Sequence, residues 1–197
     1  MLGQYRRRFP KVHLQLHESY TSRVLELLSD ETLDAGFLRD GGPTPGFAVE
    51  VLFSEPLVAV VPARHPLASK KFISAGQLRD QPFVFFSPTA GAHAYEKGIA
   101  PCVEKGFRPR VVQEAPQWLT ILRLVGAGLG VTMAPACVRQ IAADNVVCLH
   151  LSDTQARSDI ELPYLTGEDR AIVATFAAIA RESFRTTQRQ PRLDRRS

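Results

Sequence analysis

Two α/β units, each a parallel sheet covered by helices, are the fold class predicted by this sequence. Strand and helix periodicities alternate along the chain, once over roughly residues 2–38 and again from residue 74 onward. A length of 197 residues suits one large domain or two small ones. Hydrophobic residues at 45% and charged residues at 22% match a globular body, which excludes disorder and coiled-coil composition for most of the chain.

Leu2 to Phe9 predicts a short helix ended by Pro10. Val12, Leu14 and Leu16 then alternate with Lys11, His13, Gln15 and His17, which is strand periodicity. Ser19, Tyr20, Thr21 and Ser22 offer N-caps to a helix whose apolar face is Val24, Leu25 and Leu28. Leu33 to Leu38 is a second buried-type run, closed by the turn-rich residues 39–46. Helix, strand, helix, strand in that order predicts a parallel sheet with helical crossovers.

The apolar stretch Phe47 to Pro62 contains Pro56, which predicts an edge or a break between two strands. Ser74 to Gln77 reads as a capping box for a short helix. Phe83 to Phe86 predicts a buried strand, and Ser87-Pro88 the start of the next helix, with proline in a permitted first-turn position. Arg110 to Gln113 is a strand, and Trp118, Ile121, Leu122, Val125 and Leu129 form a helical stripe. Val131 to Ala134 and Ile160 to Leu165 are strands. Thr166 to Asp169 is a capping box for a last helix with face Ile172, Phe176, Ile179 and Ala180.

Charge is unevenly placed. Five arginines against one aspartate in residues 185–197 account for the whole net charge of +4, which leaves the body neutral. That pattern predicts a basic, solvated tail and argues against a domain that coats phosphate backbone. Three cysteines, at 102, 137 and 148, form no CxxC pair and no disulfide framework, which suits a reducing, cytoplasmic setting. The uncharged stretch Leu124 to Val138 is too short to span a bilayer, and no apolar signal segment follows the basic N-terminal residues.

Enzyme signatures are absent from the sequence. His13 and His17 are four residues apart on a predicted strand, more than about 10 Å by rise alone, too far to share a metal ion. No G-x-S-x-G, Walker A or H-E-x-x-H pattern occurs. Gly126, Gly128 and Gly130 follow a helix and precede a strand, the reverse of a dinucleotide fingerprint, so they are read as a helix end and a tight turn. Neither a catalytic residue, a metal site nor a cofactor is predicted.

Three segments, LDAGFLR at 33–39, SEPLVAVVPARHPLA at 54–68 and TILRLVGAGLGVTMAPA at 120–136, resemble the effector-binding domain of LysR-type transcriptional regulators in their order and spacing. The VQEAPQW stretch before the third is similar to the branch that senses aromatic metabolites. The resemblance covers roughly residues 1 to 184. It implies a fold like the type 2 periplasmic binding proteins: two Rossmann-like subdomains joined by crossing hinge strands, with a small-molecule effector in the cleft. Subdomain I would be 1–56 with 160–184, subdomain II 57–159, and the hinge strands would lie near 55–62 and 152–162. The family's helix-turn-helix, its route to DNA, has no counterpart here, nor does the first strand of its effector domain, and truncation is the favoured reading of both. Side-by-side homodimers through the helix at 22–29 and the helix after Pro88 are implied, without a membrane. A solute-binding protein or an enzyme on the same two-lobed fold is the alternative.

Ligands of open α/β sheets sit at the C-terminal ends of parallel strands. Tyr20, Thr21 and Ser22 follow the first predicted strand, and Ser87 and Thr89 follow the strand at 83–86. Their hydroxyls, with the free N–H groups of two helix starts, suit a carboxylate. Phe37 and Trp118 are candidate apolar walls, Thr132 a further hydrogen-bonding group, and Arg39 a charge at the rim. The plainer reading of the hydroxyls is helix capping, and of Trp118, core. The expected effector is a small organic anion, with aromatic carboxylates among the candidates.

Overall fold

The computed structural model describes residues 1–167 and 170–189. Its elements are α1 (Leu2–Arg8), α2 (Thr21–Ser29), β1 (Leu38–Arg39), β2 (Phe47–Pro62), β3 (Phe72–Ile73), β4 (Pro82–Phe85), α3 (Ala92–Glu104), β5 (Arg110–Glu114), α4 (Trp118–Gly126), β6 (Thr132–Pro135), β7 (Val146–Leu151), β8 (Arg157–Leu165) and α5 (Ala171–Arg189). The chain forms two compact units. One is Met1–Phe53 with the described residues from Asp159 onward, and the other is Ser54–Ser158. The chain passes from unit to unit inside β2 and again inside β8.

In the first unit, α5 buries Val173, Ala177, Ile179 and Ala180. Leu52, Leu162, Ala177 and Ala180 form one core cluster, with Phe37, Phe176 and Phe184 packed against it. A second cluster joins Val24 and Leu28 of α2 to Leu38 of β1. Gly36 lets α2 come close, since a Cβ there would lie 2.7 Å from the Val24 side chain. The Arg181 guanidinium and the Glu50 carboxylate meet at 2.7 Å.

The second unit carries two apolar clusters. Val58 and Val60 of β2 pack with Val84, Ile121, Leu122 and Val125, and Ala59 and Val61 pack with Ile73, Leu78, Phe83, Met133 and Leu149. Neighbouring β2 residues thus point into different clusters, as pleating requires. β2 pairs antiparallel with β6 and with β7, while β3 runs parallel to β7 and β4 parallel to β5. A capping box opens the turn at 75–78 as expected, with the Gly76 N–H donating to Ser74 Oγ at 3.1 Å and the Ser74 N–H to Gln77 Oε1 at 3.0 Å.

Several expectations are corrected. Residues 12–17 form no strand: Val12 and Leu14 keep the alternating burial, but no neighbouring chain accepts a ladder bond among the described residues. The parallel sheet expected in the first unit is absent from those residues too. β1 has only two residues and pairs antiparallel with β8. β2 runs unbroken through Pro56, because its pairing with β6 begins one residue later, at Leu57, and asks no N–H of the proline. Ser87-Pro88 opens only the single 3-10 turn Pro88–Ala90, and the helix proper starts at Ala92 with Gly91 as its cap. Leu129 falls beyond α4, and β7 had no counterpart in the sequence reading. α5 continues to Arg189, so part of the expected tail is helical. The capping box at 166–169 and the rest of the tail include positions outside the described residues.

Candidate functional site

In the second unit, three chain segments converge at the ends of parallel strands. The Val84 N–H donates to the Val131 carbonyl at 2.9 Å, the Val131 N–H to the Pro82 carbonyl at 2.8 Å, and the Ala115 N–H to the Phe85 carbonyl at 3.0 Å. These bonds fix where Phe86 and Ser87 leave β4. Ser87 is half-buried, and its Oγ accepts a hydrogen bond from Thr89 Oγ1 at 3.0 Å. Ser87 keeps its own O–H to donate, which is what an anion requires.

Aromatic rings surround this exit. Phe86 contacts Trp118 at 5.7 Å and Tyr95 at 6.0 Å between centroids, both edge-to-face, and stacks on Phe85 at 4.5 Å. Phe86, Tyr95 and Trp118 are each half-buried, so the cluster is open at one side. Burial first, then the nearby Glu96 and Glu114 charges, push the Tyr95 hydroxyl above its ordinary range, although Arg108 opposes this. Tyr95 therefore stays a protonated donor at neutral pH. Phe86 and Tyr95 were not among the candidate site residues read from the sequence. A ring at the last position of a strand and one on a helical turn carry no local signal of convergence.

Ser87, Thr89 and Trp118 thus come together around Phe86. Thr132 is different: it is fully buried, and its hydroxyl reaches the neighbouring Met133 carbonyl at 3.4 Å.

The first unit places Tyr20, Thr21 and Ser22 at the start of α2. Tyr20 is the N-cap residue and makes no side-chain cap bond. Tyr20 and Ser22 are exposed and Thr21 is half-buried. Phe37 lies among rings, 5.6 Å from Phe176 and 6.1 Å from Phe184, and it lines a cavity of about 690 Å³ that also opens on 12–19 and on α5. Arg39 is half-buried and engaged with another group.

Among the described residues, no three His, Cys, Asp or Glu side chains are placed to hold a metal ion. Burial pushes the Cys102 thiol up to about 12, and burial also raises Cys148, so both resist becoming thiolate nucleophiles.

Two α/β units, with the chain exchanged between them in β2 and β8, make the architecture periplasmic-binding-protein-like. Solved effector-binding domains share it. The BenM effector binding domain with its effector benzoate superposes with a TM-score of 0.79 at 22% identity, covering 100% of this chain and 89% of that one. The effector binding domain of QuiR in complex with shikimate gives 0.82 at 18% identity, covering 94% and 88%.

The LysR substrate binding domain matches residues 1–185, and the chain belongs to that family. Relatives are transcriptional regulators. AlsR of Bacillus subtilis is 30% identical over 180 residues, 91% of this chain and 60% of the relative. The Hca operon transcriptional activator HcaR of Escherichia coli is 32% identical over 187 residues, 92% of this chain and 62% of the relative. The chain spans only about six tenths of the length of these curated relatives.

Proposed function

We propose that this chain is the ligand-sensing part of a LysR-type transcription regulator and that it binds a small organic anion without catalysis, aromatic carboxylates being preferred. The observation that carries the reading is the Ser87–Thr89 hydroxyl pair at the exit of β4, beside the open ring cluster of Phe86, Tyr95 and Trp118. A carboxylate would be held by hydroxyl donors and its ring would meet ring edges, a favourable electrostatic pairing. Thr21 and Ser22, at the start of α2, are the candidate ligand-binding hydroxyls of the first unit. In this reading Phe37 is shared between ligand and core, Arg39 supplies charge at the rim, and Thr132 orders the strand behind the site. DNA contact would belong to a helix-turn-helix outside this sequence, and the working compartment would be the cytoplasm.

A thermal-shift screen of aromatic carboxylates and central metabolites tests this. Hits should weaken in Ser87→Ala and in Thr89→Val. Unchanged affinity in both variants would overturn the assignment.

A further inference from the structure

In the second unit, β3 lies at the edge of its sheet, with β7 as its one strand neighbour among the described residues. The His150 N–H donates to the Lys71 carbonyl at 3.0 Å, and the Ser152 N–H donates to the Ile73 carbonyl at 3.0 Å. Backbone groups alternate in direction along a strand, so Phe72, between those two residues, turns its N–H and C=O to the outer edge. Neither group is bonded to another described residue. One rung of ladder is thus open, with a donor and an acceptor already in strand geometry.

The side chains around this rung select what it suits. Ile73 is buried, whereas Phe72 is 62% exposed, its ring stacked on the His150 ring at 5.2 Å. Lys70 and Lys71 are exposed and form no ion pair with a described residue. No acidic residue occurs between Glu55 and Asp80 in the sequence. Asp153, just beyond β7, is taken up by Lys105 at 3.0 Å and by the Ser74 hydroxyl. The edge therefore carries uncompensated positive charge beside an exposed ring.

Lysines on an edge strand repel a second copy of the same edge, and many proteins keep edges apart in this way. An edge shaped only to stay unpaired has no use for an exposed phenylalanine at its one open rung. The lysines and the ring together fit an occupant of opposite charge that brings apolar side chains and ladder groups of its own. Nucleic acid would meet the lysines but has no strand to pair.

We propose that the β3 edge docks an extended, acidic segment of a partner protein. One residue of that segment exchanges both backbone hydrogen bonds with Phe72, its apolar side chains cover the Phe72 ring, and its carboxylates face Lys70 and Lys71. The dock is independent of the Ser87 reading and can stand or fall without it.

The probe is acetyl-Glu-Val-Glu-Val-Glu-amide, titrated into the full 197-residue chain and followed by calorimetry and amide hydrogen exchange. The Phe72 amide should slow by about tenfold at saturation, and binding should weaken as salt rises. Lys70→Glu combined with Lys71→Glu should weaken the peptide by about tenfold, because attraction becomes repulsion at both positions. The same peptide methylated at every backbone nitrogen keeps the charge without the donors and should also bind about tenfold more weakly. Both substituted positions are exposed, and the exchange reading on the unaltered chain requires no variant. Equal binding of the methylated peptide would overturn the proposal, as would a Phe72 amide that the peptide leaves unchanged. So would a mixed-sequence DNA duplex that protects the same amide in the peptide's place, or a self-paired chain that Phe72→Thr dissociates.

Discussion

Asp40 and Asp159 hold each other through a reciprocal pair of hydrogen bonds. The Asp40 N–H donates to the Asp159 carbonyl at 3.0 Å, and the Asp159 N–H donates to Asp40 Oδ1 at 2.8 Å. Asp40 is buried, and its φ of 52° lies in the left-handed region. The next residue extends the stitch, with the Gly41 N–H donating to Glu161 Oε2 at 2.8 Å. A two-residue β1 is thereby anchored to β8 by side chains more than by ladder length.

Asp40→Ala should therefore destabilise by about 2 kcal/mol, through a partly buried Asp159 N–H left unpaired and a backbone conformation that alanine tolerates poorly. Asp40→Asn keeps an accepting oxygen and tolerates positive φ, so it should cost less than about 1 kcal/mol. Urea unfolding of the two variants checks the order. Equal losses would mean that the carboxylate is not the anchor.

Gly128 and Gly130 should differ in kind. Gly128 has a φ of 86° with open space around it, so Gly128→Ala should cost about 1 kcal/mol from backbone strain alone. A Cβ on Gly130 would lie 2.4 Å from the Pro82 carbonyl oxygen, which accepts the Val131 N–H at 2.8 Å and cannot retreat without losing that bond. Gly130→Ala should cost clearly more, about 2–4 kcal/mol. Melting midpoints in the reverse order would refute this assignment of roles.

The glycine run was legible in the sequence because a helix end, a turn and a strand follow one another within ten residues. The strands at 83–86 and 131–134 and the stripe of α4 were legible for the same reason: local periodicity matches the burial it produces. The strand at 12–17 had equally good periodicity and did not form, because a strand exists only with a neighbour and periodicity says nothing of one. Pro56 misled in the opposite direction, since its cost depends on where the ladder starts. For the candidate site, Ser87 and Thr89 were singled out from their places after a predicted strand, and Trp118 as an apolar wall. Phe86 and Tyr95 were not singled out, because only the fold brings Phe86 against both the Tyr95 ring nine residues on and the Trp118 indole.

Acid should strain the anchor at Asp153. Burial raises its carboxyl, but the Ser74 hydroxyl, Lys105 and the Ala75 N–H outweigh that and hold it below the ordinary carboxylate range. A depressed folded value gives stability that is present above the unfolded value near 3.8 and lost as pH falls through the folded one. The stability difference between the chain and Asp153→Asn should thus be constant near neutrality and shrink below about pH 4. A difference that ignores pH would remove Asp153 from the account.

Self-association through α2 and α3 is expected of the proposed regulator, since twofold pairs are the commonest assembly. Val103, near the end of α3, is 46% exposed and is available to such a contact. Sedimentation at tens of micromolar should show a dimer that Val103→Glu weakens. A monomer under those conditions would count against the interface.

Trp118 is the sole tryptophan and stands at the start of α4, half-buried and 5.7 Å from Phe86. Its emission therefore reports on the ring cluster directly. A ring carboxylate seated against Phe86 would change both the polarity around the indole and its edge contacts, whereas an aliphatic carboxylate would satisfy only the hydroxyls. Titration with benzoate should give a saturable change in emission, and succinate a smaller one at higher concentration. Loss of one hydroxyl donor to a charged group costs about 1.5 kcal/mol, so Ser87→Ala should weaken benzoate roughly tenfold. Trp118→Phe should lose the signal while calorimetry still registers binding. Emission that follows benzoate and succinate alike, with Ser87→Ala unchanged, would mean that neither the rings nor this hydroxyl selects the ligand.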